Sequence, residues 1–325
     1  MTESILEVKG LKTYFHTRAG VVKAVDGIDF TLGKGKTLGI VGESGSGKSV
    51  SMMSILGLLP QPPAKIEGGT VFFEGQDLLT LNREQLRTLR GRKIGMIFQD
   101  PMTSLNPYLK VSTQLMEALT EHDRSTSKKS AYERALWTLE QVGIPDPKQR
   151  IEQYPHQFSG GMRQRVMIAM TLMMAPEIII ADEPTTALDV TIQAQILDIL
   201  RNLQVKRGLS MILITHDLGV VAGMSDDVLV MYAGRPVEQG TVEEIFYRPH
   251  HPYTSALLRS IPSVLREDQE LYSIRGLPPD PARLPPGCPF APRCERAMPI
   301  CTQAPPIRRL SLTHTSVCHL EVSPP

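Results

Sequence analysis

Gly42-Glu43-Ser44-Gly45-Ser46-Gly47-Lys48-Ser49 decides the fold. The run Thr37 to Val41 before it reads as a buried strand, and the residues after it read as a helix starting near Lys48. Gly42, Gly45 and Gly47 permit a tight loop whose backbone N–H groups turn inward on phosphate oxygens. Ser44 and Ser46 fill the loop between them. Lys48 is placed to reach the β- and γ-phosphates of a nucleotide, and Ser49 offers a hydroxyl to Mg²⁺. The helix turns its positive end toward the same anions. A chance match to a loose pattern is the alternative, and the flanking strand and helix are the context that the motif demands.

Working outward, Ile178-Ile179-Ile180-Ala181-Asp182-Glu183-Pro184 reads as a second buried strand ending in carboxylates. A strand that ends in Asp182 can deliver its carboxylate to Mg²⁺, directly or through water. Glu183 is then a candidate general base for an attacking water. Asp-Glu-Pro also fits the start of a helix, where the acids would serve as caps.

Ile5 to Val8, Ile28 to Leu32, Val71 to Gly75, Ile94 to Phe98 and Met211 to Thr215 read as further strands. Residues from about 101 to 168 read as helical, broken by the polar loop Glu121 to Ser130. Val190 to Lys206 is an amphipathic helix with Ile192, Ile196, Ile199 and Leu203 on one face and Gly208 suited to its C-terminal cap. The pattern is an α/β core with a helical insertion and no internal repeat. Composition shifts near Tyr247. Fifteen of the 26 prolines and all four cysteines lie beyond Arg248, and Lys206 is the last lysine. Residues 1–246 therefore read as one globular domain and 247–325 as an accessory segment held by something other than a large core.

The formal net charge of +1 argues against a nucleic-acid partner. The longest apolar stretch, Val166 to Ala175, is about half of the roughly 20 residues that a spanning helix needs. No apolar signal region opens the chain. The expectation is a soluble, intracellular protein whose membrane work, if any, needs other chains to supply the span.

Phe158-Ser159-Gly160-Gly161-Met162 lies between the two nucleotide motifs. With them, and in this order, it resembles the signature of the nucleotide-binding subunits of ABC transporters. The resemblance covers about residues 5 to 246. It implies a P-loop NTPase of ABC type: a RecA-like sheet plus an antiparallel β part, with a helical subdomain at about 101–168. Ser159, Gly160, Gly161 and Met162 would open a helix toward the γ-phosphate of an ATP held by a facing, head-to-tail protomer. Tyr14 resembles the aromatic that stacks on adenine, with Phe15 second. Gln99 resembles the glutamine that meets Mg²⁺ and water and senses the membrane partner, through the loop Asp100 to Leu109. Asp189 in Ala187-Leu188-Asp189 resembles the aspartate that crosses the dimer seam, and His216 the switch histidine on γ-phosphate. Met162 stands where the family often has Gln, and Thr186 where Ser is common.

His250-His251-Pro252-Tyr253-Thr254 leads into a short helical pattern over Ser255 to Ser260. This resembles the C-terminal extension of the oligopeptide, dipeptide and nickel branch of ABC importers, and the D-type ATP-binding subunits of bacterial dipeptide permeases in particular. Cys288, Cys294, Cys301 and Cys318 are separated by five, six and sixteen residues. Paired zinc spacings are absent, disulfides suit a cytosolic chain poorly, and the wide spacing suits a [4Fe–4S] cluster without being a ferredoxin pattern. Zinc and free thiols stay open as alternatives. The resemblance favours the cluster, in a structural role, with His314 and His319 as spare ligand candidates.

The implied activity is an ATPase that energises import of dipeptides or short peptides. Its implied partners are a second, paralogous ATPase subunit, two transmembrane permease subunits and, indirectly, a periplasmic or lipid-anchored peptide-binding protein. Its implied location is the cytoplasmic face of the bacterial inner membrane. A soluble ABC ATPase acting on nucleic acid or ribosomes is the alternative, although a single signature, near-zero charge and no heptad run weigh against it. An Fe–S regulatory module is a third reading, opposed by the intact ATPase set.

Overall fold

Alternation of buried Leu6, Val8, Leu11 and Thr13 with exposed neighbours makes the first strand long, and Ile28, Phe30 and Leu32 do the same for the second. The computed structural model describes residues 3–186, 188–261 and 272–321. In chain order the strands are β1 Ser4–Thr17, β2 Gly20–Gly33, β3 Thr37–Val41, β4 Ala64–Phe73, β5 Gln76–Asp77, β6 Ile94–Ile97, β7 Ile178–Asp182, β8 Ser210–Ile214, β9 Asp227–Tyr232, β10 Arg235–Thr241, β11 Ile307–Arg309 and β12 Thr315–Val317. The helices are α1 Lys48–Ile55, α2 Arg83–Leu89, α3 Pro101–Ser104, α4 Val111–Thr120, α5 Lys128–Gln141, α6 Pro147–Arg150, α7 Gly160–Leu172, α8 Val190–Arg207, α9 Leu218–Met224, α10 Val242–Tyr247 and α11 Pro252–Arg259.

Two compact units result, one formed by Met1–Thr80 with Leu213–Pro325 and the other by Leu81–Ile212. The first contains an antiparallel sheet in the order β2-β1-β4-β5 and a second set of strands in the order β11-β12-β10-β9-β3. In that set β3 runs parallel to β9, with Val41 opposite Val230, and the other neighbours are antiparallel. The second unit pairs β6 with β7 in parallel, Ile94 opposite Ile178. Its helices α4, α5 and α7 bury Leu115, Ala135, Leu139, Ile168 and Leu172.

The strand and helix expectations hold in kind, with shifted ends. β1, β2 and β4 extend well past the apolar runs that signal them, because their partner strands carry the pairing through polar residues such as Lys12 and Lys65. On α8 the buried stripe is Ile196, Leu200 and Leu203; Ile192 and Ile199, expected on that face, are only half-buried. Gly208 ends α8 at φ 63° as its cap.

The accessory segment departs further from expectation. It does contribute to a core: Tyr253, Cys288 and Phe290 are buried with Val41, Val230 and Tyr232. Tyr253 and Phe290 stand 4.6 and 5.2 Å from the Tyr232 ring and 5.2 Å from each other. Such aromatic pairs contribute about 0.5–1.5 kcal/mol each beyond their buried area. Three large side chains far apart in sequence leave no periodicity to detect.

Glu244 ties the segment down a second time. It completes a capping box with Thr241 and accepts hydroxyl hydrogen bonds from Ser311 at 2.6 Å and Thr313 at 2.8 Å. Burial pushes its carboxyl up, but these donors and Thr241 outweigh it and hold the group at about 2, against 4.5 ordinarily. The unfolded chain therefore takes up this proton first as pH falls. The stabilisation is complete above about pH 4.5, disappears between there and about pH 2, and amounts to about 3 kcal/mol. Glu244 is only 8% exposed, so solvent screening takes little of it. We expect Glu244→Gln to lower the melting temperature at pH 7 and to shrink its fall between pH 7 and pH 3, measured by thermal unfolding.

Candidate functional site

In the first unit the glycine loop runs from the end of β3 into α1, with Gly47 as the residue before the helix. Gly42 sits at φ 149°, and a Cβ there would lie 2.2 Å from the Met231 carbonyl oxygen. Lys48 is buried, and its Nζ donates to the carbonyls of Gly42 at 2.8 Å and Glu43 at 3.0 Å. The Ser46 hydroxyl is buried without a hydrogen-bond partner, an uncompensated polar atom within a loop built to meet oxygen anions. Ser44 and Gly45 are exposed and Ser49 is half-buried at the first turn of α1. This donor set fits a nucleotide phosphate.

Tyr14 lies on β1, half-buried, with Phe15 beside it. Its hydroxyl donates to Asp26 at 2.6 Å, while Arg235 donates to the other oxygen of Asp26. Burial and this carboxylate push the phenol up to about 12, so it stays protonated. Lys23 Nζ stands 5.6 Å from its ring. His216 is exposed just past β8, where Thr215 and Asp217 organise the turn into α9.

In the second unit β7 brings Asp182 to its C-terminal end, buried, with Glu183 next at φ 46°. That left-handed conformation costs a residue of this kind about 1–3 kcal/mol and is characteristic of functional turns. Glu183 Oε2 accepts from the Gln99 amide at 2.9 Å and from the Thr186 hydroxyl at 2.9 Å. The candidate base and the candidate sensing glutamine thus meet directly. Thr186, noted in the sequence only as a departure from Ser, proves to be a direct partner of Glu183, and its spacing of three residues was the available signal. Gln164 was missed altogether. It is buried on α7 and donates to the Pro184 carbonyl at 2.7 Å, fixing the turn that carries Glu183.

Ser159 caps α7 by accepting from the Met162 N–H at 3.4 Å. Gly160 is exposed, and a Cβ there would meet only an ordinary contact with Leu188. Gly161 is buried instead, with Ile192 so close that a Cβ would lie 2.5 Å from it. The expectation that both glycines face outward is corrected for Gly161, whose size is set by packing of α7 on α8. Asp189 caps α8 by accepting from the Ile192 N–H at 3.0 Å. Ala187 lies outside the described residues.

Cys288, Cys294, Cys301 and Cys318 all line one cavity, with His251, Phe290 and Leu320 among its other walls, and none is in a disulfide. Burial pushes the thiols of Cys288 and Cys318 up, and that of Cys294 up to about 11. Backbone N–H groups of Met298 and Leu320 point at the sulfurs of Cys301 and Cys318, at 3.4 and 3.5 Å. Among the described residues no group of three or more His, Cys, Asp or Glu side chains is placed to hold a single metal ion. His314 instead bonds the buried Glu238 at 2.7 Å, away from the cavity, whereas His319 lines the cavity and its Nε2 is hydrogen-bonded to the Gln303 carbonyl at 3.2 Å. No helix among the described residues is long and apolar enough to cross a membrane.

Residues 25–186 match the model of the ABC transporter family, and residues 237–301 that of the oligopeptide/dipeptide transporter C-terminal region. The chain is 54% identical over 320 residues to a dipeptide transport ATP-binding protein, DppD, of Bacillus subtilis, covering 98% of this chain and 95% of that one. It is 52% identical over 314 residues to an oligopeptide transport ATP-binding protein, OppD, of Salmonella typhimurium, covering 97% and 93%. Among solved structures it resembles the ATP-binding cassette MJ0796, a dimer in a post-hydrolysis state bound to ADP and Pi. That likeness has a TM-score of 0.65 at 26% identity and covers 73% of this chain and 98% of the cassette. A glycine loop with an orphaned hydroxyl, a strained glutamate held by two donors and this likeness along the whole chain have one explanation: the chain belongs to the ABC transporter ATPases, and to those with the oligopeptide/dipeptide C-terminal region.

Proposed function

We propose that this chain is the ATP-hydrolysing subunit of a bacterial importer for dipeptides or short peptides, and that it works on the cytoplasmic face of the inner membrane. The observation that carries this reading is the joint presence of the Lys48 loop, the Gln99–Glu183–Thr186 constellation and the C-terminal region on one chain. Lys48, Gly42, Ser44, Gly45, Ser46 and Gly47 bind the phosphates, and Tyr14 takes the adenine. Ser49, Asp182 and Gln99 would hold Mg²⁺, which would supply charge neutralisation. Glu183 takes the proton of the attacking water, and His216 holds the γ-phosphate. Ser159, Gly160 and Met162, with Asp189, act on the ATP of a second, paralogous ATPase subunit in a head-to-tail dimer, and Gly161 lets α7 pack close enough to α8 to present them. The dimeric cassette among the similar structures supports the pairing of two such ATPases. Residues 1–246 act as the ATPase domain and 247–325 as its accessory segment.

Two transmembrane permease subunits receive the motion near Gln99 and the loop after it, where Tyr108 is 86% exposed. A periplasmic or lipid-anchored peptide-binding protein delivers the cargo. The alternative of a soluble ABC ATPase working on nucleic acid is not favoured: the formal charge is only +1, and the Bacillus and Salmonella relatives are transport proteins.

The cysteine cavity is proposed to hold a [4Fe–4S] cluster, with zinc as the alternative. Four thiols around one cavity and N–H donors to their sulfurs suit a cysteine-bound centre, whose loading must release the thiol protons. Purification under anaerobic conditions, with iron, acid-labile sulfide and zinc assayed on one sample, tests it. We expect about four irons and four sulfides per chain, with permease subunits and a second ATPase copurifying. One zinc and no sulfide would replace the cluster by a zinc site. Copurification with RNA in place of membrane proteins would overturn the importer.

A further inference from the structure

Glu43 has no assigned role in the phosphate loop, yet all three of its polar groups are engaged. Its carboxylate takes both terminal nitrogens of Arg293, at 2.6 and 2.9 Å, a bidentate pair across 250 residues of chain. Its backbone N–H donates to the Tyr253 hydroxyl at 2.8 Å. Its carbonyl accepts from Lys48 Nζ at 3.0 Å. The carbonyl also accepts from the Ser46 N–H at 3.2 Å within the loop; of the other partners, two come from the C-terminal segment and one is the phosphate-binding lysine.

The segment's side of the contact is rigid. Arg293 is 6% exposed on its side chain, and its remaining donors go to the Tyr232 hydroxyl at 3.2 Å and the carbonyls of Arg275 and Ile274 at 3.0 and 3.5 Å. Tyr253 is fully buried in the aromatic cluster. A planar fork with every donor satisfied loses little freedom in holding a carboxylate, and burial shields the pair from water. Glu43 by contrast belongs to a loop whose next residues, Ser44 and Gly45, are exposed.

We infer that Arg293 and Tyr253 form a clasp that positions the phosphate loop for nucleotide through Glu43, making the C-terminal segment part of the ATP-binding apparatus. The clasp acts on Lys48 because the pinned Glu43 carbonyl, with that of Gly42, is among the acceptors that set where the ammonium rests. Loosening Glu43 releases the loop into conformations that do not bind, and apparent affinity falls with the competent fraction. Arg293 directly precedes Cys294 in the chain, so the clasp also connects the cysteine cavity to the nucleotide site.

The test uses the full chain, titrated with Mg-ATP by calorimetry, with steady-state ATPase in the assembled complex and cysteine-site metal content measured alongside. Glu43→Gln and Arg293→Met are each expected to raise the ATP Kd and KM about tenfold, with kcat at saturating ATP changed less than twofold. The double variant should be no worse than the poorer single one, since both remove the same contact. Arg293→Lys should recover only part of the affinity, because an ammonium cannot make the fork. If Arg293→Met does not fold, Glu43→Gln and Tyr253→Phe decide, since Glu43→Gln keeps an amide oxygen that can accept from Arg293 and Tyr253→Phe keeps the buried ring. The inference is overturned if these two leave Kd within twofold of the parent, whatever they do to the melting temperature. A Kd shift accompanied by loss of metal in every variant would also overturn it, because affinity would then follow the state of the cavity and not the clasp.

Discussion

Glu183→Gln lowers ATP turnover of the assembled complex by about 10²–10⁴-fold, the range over which a positioned general base acts, and leaves ATP bound. The geometry explains why the loss falls on the rate. Glu183 is delivered by the end of β7 in a left-handed conformation, and one of its oxygens accepts from both Gln99 and Thr186. A glutamine at this position keeps the volume and one carbonyl acceptor, so the turn and its two donors have little reason to rearrange. What disappears is the charge and the capacity to take a proton. ATP affinity, measured by calorimetry, should therefore stay within about threefold while kcat collapses, the pattern of an interaction made only in the transition state. An unchanged rate, or a variant that fails to retain ATP, would remove Glu183 from the role of base.

Gly42→Ala is expected to abolish measurable ATP binding, a loss of at least about 100-fold in affinity. The methyl would approach the Met231 carbonyl to 2.2 Å and the Ser46 hydroxyl to 2.8 Å, and the φ of 149° is unfavourable for alanine. Met231 belongs to β9, whose backbone is paired to both β3 and β10, so the oxygen cannot withdraw. The loop must move instead, taking with it the Gly42 carbonyl that holds Lys48. Overpacking of this kind also costs about 1–3 kcal/mol of stability, to be read from thermal unfolding. Gly45→Ala is the control. Nothing lies within 4 Å of its would-be Cβ, and only its φ of 77° resists the change. It should lose about 1 kcal/mol and keep much of its ATP binding. Equal affinity loss in the two variants would show that backbone conformation, and not contact with β9, sets the requirement.

Much of this was legible because it is local. Three glycines and a lysine between a strand and a helix, or three isoleucines before Asp-Glu, write their chemistry into adjacent positions. The cap at Ser159 and the stop at Gly208 are of the same kind. What escaped depends on distant chain segments meeting. Nothing near Glu43 announces Arg293, and nothing near Tyr253 announces Phe290. Gly161 illustrates a subtler failure, in which a residue read for its backbone turned out to be constrained by Ile192. Helix faces suffered likewise: Leu200 and not Ile199 is buried, because the helix packs on a line that periodicity alone places only to within one residue.

The pairing of β12 with β10, Ser316 opposite Glu238, governs how the cysteine cavity is assembled. Cys318 comes directly after that strand, so the fourth sulfur reaches the cavity only once β12 has added itself to the sheet. A variant truncated before Thr315 would retain Lys48, Glu183 and Arg293 in its sequence, yet only three of the four cysteines and no β12. Completion of the cysteine cavity is in this sense coupled to closure of the sheet, because a strand pairing and not the local chain path delivers the fourth thiol.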